Sequence, residues 1–80
     1  RMVNENLNNV LNISNVGCYI TTSSCLEAPG VGTVYYIISL YSNMSDENFL
    51  IAFGLSSVAH HIYTTFKPAS ATSVTWDQML

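Results

Sequence analysis

Two adjacent histidines, His60 and His61, two adjacent carboxylates, Asp46 and Glu47, and two cysteines, Cys18 and Cys25, are the residues of this sequence with chemistry to offer. Imidazoles ligate metals and titrate near neutral pH. The pair predicts no joint site, because neighbours on a strand point to opposite faces whereas a shared ion wants donors at i and i+2. One surface histidine and one partly buried histidine are expected. The carboxylates sit in a polar connection, Ser42–Asn48, that reads as a hairpin turn. Glycoside hydrolysis needs two carboxyls held about 5 to 10 Å apart in a cleft, and a solvated turn supplies none, so no enzymatic activity is expected. Cys18 and Cys25 fit neither a redox Cys-x-x-Cys nor paired zinc ligands. They read as thiols, Cys18 as a small core residue, with a bridge between them the alternative in an oxidising setting. Pro29-Gly30 and Gly32 suit a type II turn. Their spacing matches no phosphate-binding loop, and the residues from Thr33 onward read as a strand rather than a helix. No cofactor is expected.

The elements that must position these residues are strands. Thr33–Ser42, Asn48–Ser57 and His60–Phe66 are rich in β-branched and aromatic residues and are separated by short polar breaks, the pattern of an antiparallel meander. Gly17–Thr22 adds a strand before them and Val74–Trp76 an edge after them, whereas Leu7, Val10 and Leu11 within Asn4–Ile13 predict a short helix or turn. Strand periodicity puts Val34, Tyr36, Ile38 and Leu40 on one face and Tyr35, Ile37, Ser39 and Tyr41 on the other, neither of them polar. In the next strand Phe49, Ile51, Phe53 and Leu55 are assigned to the core, and Leu50, Ala52, Gly54 and Ser56 to a small side suited to close packing. Tyr19, Ile38, Leu40, Ile51, Phe53, Ile62 and Trp76 are the expected core or subunit interface. The expectation is thus an all-β fold, a small antiparallel meander of four to five strands in one domain spanning residues 1–80.

Composition narrows the function. Arg1 and Lys67 are the only basic side chains and the net charge is −3, so the electrostatic attraction that dominates nucleic-acid binding is missing. No apolar run approaches the roughly 18 residues of a membrane span, so no membrane insertion is expected. With 49% hydrophobic and 9% charged residues, there is too little charge for the surface of a soluble monomer, and a domain this small needs outside support. Association is expected. The apolar second face of the Thr33–Ser42 strand, through Tyr35, Ile37 and Tyr41, is the expected contact. The sequence opens at Arg1 without a leader and reads as a piece of something longer. Asn12-Ile13-Ser14 and Asn43-Met44-Ser45 match the glycosylation pattern, which arises by chance in Asn- and Ser-rich chains.

The order of several short motifs resembles the knob domain of pyocin and bacteriophage tail fibres. Asn6-Leu7-Asn8, Gly17-Cys18-Tyr19, Ala28-Pro29-Gly30, the apolar strand Val34–Leu40, Ile62-Tyr63 and finally Trp76 with Leu80 match the family's pattern in order over nearly the whole chain. Thr65 stands where the family often has Arg, Ser73 where it often has Trp, and a Gln of the middle strand is absent. The resemblance implies a homotrimeric, non-enzymatic knob at the end of a fibre, assembled in the bacterial host cytoplasm and acting on the virion at the host surface. A surface glycan or an outer-surface protein is the implied partner. The composition agrees, because hydroxyls and amides bond sugars and aromatic rings stack on them; Tyr35, Tyr41, His61 and Tyr63 are the candidate receptor-binding residues. The alternatives are an architectural spacer knob, a fragment of a glycan-cleaving tailspike, and a monomeric secreted lectin or toxin inhibitor.

Overall fold

The computed structural model describes residues 3–41, 46–58 and 60–80 and is all-β. Its strands are β1 (Val3–Asn9), β2 (Gly17–Leu26), β3 (Tyr35–Tyr41), β4 (Glu47–Gly54), β5 (Ile62–Pro68) and β6 (Asp77–Gln78), joined in chain order in one sheet. From β2 to β6 every pairing is antiparallel, which is the expected meander. Two features exceed the expectation. The final strand lies just beyond Trp76 rather than on it, and β1 pairs parallel with β2, so the sheet is six-stranded and mixed.

Of the helix or turn expected near the N-terminus, the turn is present: a single 3-10 turn, Val10–Asn12, follows β1. Asparagines are poor helix formers but good caps, and the Asn9 side chain accepts the Leu11 N–H at 3.0 Å. The buried residues are Leu7, Val10 and Ile13, spaced by three as a strand end running into a 3-10 turn requires. Residues 10–16 carry the chain back to the start of β2, fewer than the roughly dozen that a parallel connection ordinarily takes. This crossover packs into the core with Tyr19, Cys25, Tyr35, Ile37, Leu50 and Ala52. It is the second layer of the fold.

Which face that layer covers reverses the expectation. Register aligns Ile37 with Ala52 and Tyr63, and Ser39 with Leu50 and Thr65, and these residues lie beneath the crossover. Ile37, Ser39, Leu50 and Ala52 are fully buried. Phe49, Ile51 and Phe53 are only partly covered, and Leu55 is exposed. The bulkier set was a poor guide because it faces away from the cover. Ala52 and Ser39 leave room beneath the sheet for the rings of Tyr35 and Tyr63 and for Val10 and Ile13. Tyr35 and Ile37, expected between subunits, therefore belong to the protomer's own core.

The other face is open and nearly continuous. Ile20, Tyr36, Phe53 and Ile62 form one cross-strand row, Cys18, Ile38, Ile51 and Thr64 a second, and Leu40, Phe49 and Phe66 a third. The Phe49 and Phe66 rings meet at 4.9 Å, yet Phe66 is 55% exposed. The middle row ends in a carboxylate, because Thr64 pairs with the exposed Asp77 of β6; the other two rows carry no charge. Cys18 stands on this face, while Cys25 is the buried cysteine, so the core role expected for Cys18 falls to Cys25. No disulfide joins the two: seven residues apart on β2, they project from opposite faces, beyond the roughly 7 Å Cα separation that a bridge can span.

Glu27 ties the C-terminal segment to the sheet. Its carboxylate accepts the Val74 N–H at 3.0 Å and its backbone carbonyl accepts Trp76 Nε1–H at 2.6 Å. The residue adopts φ 63°, a conformation uncommon outside glycine, which turns both acceptors toward that segment. Thr65 Oγ1 adds a bond to the Thr75 carbonyl. Trp76 accordingly packs against the core, partly buried, as its size predicted.

Candidate functional site

The core face has an aromatic end and a polar end. At the aromatic end the Tyr35 ring meets Tyr63 edge-on at 6.0 Å, and Tyr63 meets His61 edge-on at 6.1 Å. β3 and β5 place them there on either side of the small residues Ala52 and Gly54. Tyr35 is 2% exposed. Its hydroxyl lies so near Gly30 that a Cβ at that position would come within 2.9 Å, which explains a glycine at this point of the loop. Burial pushes the Tyr35 phenol up, Tyr63 adds to the effect, and a bond to the Thr33 side chain opposes it. A group so enclosed is core. Tyr35 is thereby removed from the receptor-facing surface, and Tyr63 and His61, half-buried, form the outer rungs.

His60 and His61 precede β5 instead of lying within it, so strand alternation does not separate them. Their rings stack 6.1 Å apart and 9° from parallel. His60 Nδ1 donates to the Ser57 carbonyl at 3.2 Å and His61 Nδ1 to the Leu80 carbonyl at 3.1 Å. Both histidines close local structure, and as expected His60 is exposed while His61 is partly covered. Among the described residues no three His, Cys, Asp or Glu side chains gather to hold a metal ion.

At the polar end, register aligns Tyr41 of β3 with Asn48 of β4 and Lys67 of β5. The row borders a cavity of about 200 Å³. Leu11, Ile13 and Ala69 form its apolar wall, and Ser14, Asp46 and Glu47 join the three aligned residues to make the polar remainder. Asp46, at φ 61°, anchors the rim by accepting the Ala69 N–H at 2.7 Å through its backbone carbonyl. Asn48 donates through Nδ2 to Ser39 Oγ at 2.9 Å. Lys67 is 2% exposed, yet no described buried side-chain polar atom lacks a partner or solvent. It lines the cavity with nearly all of its surface enclosed. Burial alone lowers the Lys67 pKa.

The four candidate receptor residues thus share one face of the sheet but not one site. Tyr35, Tyr63 and His61 gather at one end, and Tyr41, 67% exposed, stands at the other beside Lys67. The carboxylates assigned to a solvated turn border a cavity. Sequence reasoning missed Lys67 and Asn48, although Tyr63, Thr65 and Lys67 alternate on one face. The Asn43-Met44-Ser45 triplet lies outside the described residues. No described helix is long and apolar enough to cross a membrane. No family model, curated protein or solved structure matches this chain.

Proposed function

We propose that this chain is a non-enzymatic attachment module, a knob of the bacteriophage or pyocin tail-fibre type. It assembles as a homotrimer on a virion or phage-tail-like particle and binds a glycan or outer-surface protein of a bacterium. The observation that supports it best is the division of one sheet into two apolar faces, only one of which the described residues cover. The crossover and the C-terminal segment occupy the core face. The Tyr36, Ile38, Leu40, Phe49, Ile51, Phe53 and Phe66 face is left open and apolar, with the Asp77 carboxylate at its border, and an exposed apolar patch of a few hundred Å² marks an interaction surface. Copies of the same chain suit it because its apolar rows cover one another while the Asp77 carboxylate stays at the border in water. The three-fold number comes from the resemblance. Assembly through this face leaves the rim with Tyr41 and Lys67 free to meet a receptor.

Light scattering at micromolar concentration tests the assembly, with a trimer expected and a well-folded monomer refuting it. Binding of the fluorescently labelled protein to bacterial cells tests attachment, and release of reducing ends from surface polysaccharide would reassign it to the enzymes. A trimer that adheres to no bacterium is the architectural spacer.

A further inference from the structure

The cavity at the end of β3, β4 and β5 has properties that the assembly does not require. Its volume, about 200 Å³, lies below the roughly 300 Å³ at which pockets for drug-sized molecules begin, so it admits one small unit. One wall is apolar and the rest offers donors and acceptors in the same few ångströms. Lys67 and Asn48 line it from beneath, and Asp46 and Glu47 stand at the edge. One cation against two carboxylates leaves the site no net attraction for an anion. No metal-holding cluster exists among the described residues. The mixture of donors, acceptors and an apolar wall suits an uncharged ligand with many hydroxyls and one apolar face.

We infer that this cavity binds a single neutral hexose unit of a polysaccharide, with the Lys67 ammonium donating to a ring or hydroxyl oxygen and the carboxylates of Asp46 and Glu47 accepting from hydroxyls. Tyr41 packs its ring on the apolar face of the sugar, and the Leu11 and Ile13 wall excludes water behind it. The inference deepens the attachment reading, on which it rests, by naming the ligand class and the subsite. Lys67 carries the strongest part of the argument: a nearly buried lysine beside the cavity has lost much of its hydration, and an oxygen ligand restores it.

Lys67 is the sole lysine of the chain, so amine acylation reports on this site directly. The test uses galactose, glucose and mannose, each up to about 50 mM, with glucuronate and inorganic phosphate as charged competitors. Expected results are slower acylation of Lys67 and a shifted Asn48 side-chain amide resonance with at least one neutral hexose. The charged probes should have weaker effects. Lys67→Met keeps the stem and removes the donor, and should weaken hexose binding about tenfold or more. No protection of Lys67 by any neutral hexose, or stronger protection by glucuronate or phosphate, overturns the inference. Should Lys67→Met fail to fold, acylation of the unmodified protein still decides. Cell adhesion separates the two readings: adhesion without hexose protection leaves attachment standing and removes this subsite, whereas hexose protection without adhesion does the reverse.

Discussion

Leu50 and Ile51 are neighbours on β4 whose roles the two faces of the sheet set apart. Leu50 is fully buried beneath the crossover, and Ile51 stands in the middle row of the open face, aligned with Ile38 and Thr64. Leu50→Ala removes a side chain from a closed core and should cost about 2–5 kcal/mol. An 80-residue chain at roughly 0.05–0.15 kcal/mol per residue has only about 4–12 kcal/mol in total, so the melting temperature should fall by some 10–30 °C. Ile51→Thr keeps the branched shape strands favour and should change the stability of a separate protomer by less than about 1 kcal/mol. Its effect should be on association. Circular dichroism melts at several concentrations, paired with light scattering, separate the cases. Leu50→Ala should lower the melting temperature by a similar amount at every concentration, whereas Ile51→Thr should lower the mass and make the melting temperature more dependent on dilution. If Leu50→Ala melts like the parent protein while Ile51→Thr collapses even when fully assembled, the assignment of faces is wrong.

Trp76→Ala should cost about 3–5 kcal/mol, and Trp76→Phe only about 1 kcal/mol for the lost bond to the Glu27 carbonyl; thermal melts that show neither loss would place Trp76 outside the packed structure. Adding reductant should leave the melting temperature unchanged, since no disulfide exists, and thiol-reagent kinetics should show Cys25 reacting slowly, because burial both shields its thiol and pushes the pKa above the ordinary 9.0. Cys25 and Tyr35 keep protons in the folded state that the unfolded chain gives up, so their stabilisation is complete below about pH 9 and is lost as pH climbs through their raised values. Tyr35→Phe should flatten that alkaline decline. Lys67 works the other way: burial lowers its pKa, the unfolded chain holds the extra proton, and its contribution grows with pH up to the ordinary 10.5. Urea melts of Lys67→Met across this range should lack the gain.

The meander was legible because β-branched and aromatic runs broken by polar residues have few other solutions, and β3, β4 and β5 fall close to where those runs lie. The choice of face was not. Phe49, Ile51 and Phe53 outweigh Leu50 and Ala52 in bulk, so hydrophobicity alone points the wrong way; what decides is the crossover, which needs small residues opposite it. That crossover was hidden in turn by asparagines, which disfavour helix and strand alike and left β1 unread. At the candidate site, Tyr41 was legible as an aromatic at a strand end. Lys67 was not, because its burial follows from pairing with Asn48 across strands distant in sequence. Glu27 offered no signal, since its role depends on a backbone conformation that the sequence does not announce.

The short crossover also bears on how the chain is made. During synthesis the N-terminal residues leave the ribosome first, so Leu7, Val10 and Ile13 are already present when the sticky strands β3 and β4 emerge. Each new strand meets a lid that is waiting for it, and the core side of the growing sheet need not stay wet while the chain is completed. Among the described residues the opposite side has no such guardian. Nascent chains on neighbouring ribosomes of one message would expose the Phe49, Ile51 and Phe53 side to one another, where early encounter leads either to assembly or to misassembly, and the order of synthesis decides which side of the sheet runs that risk.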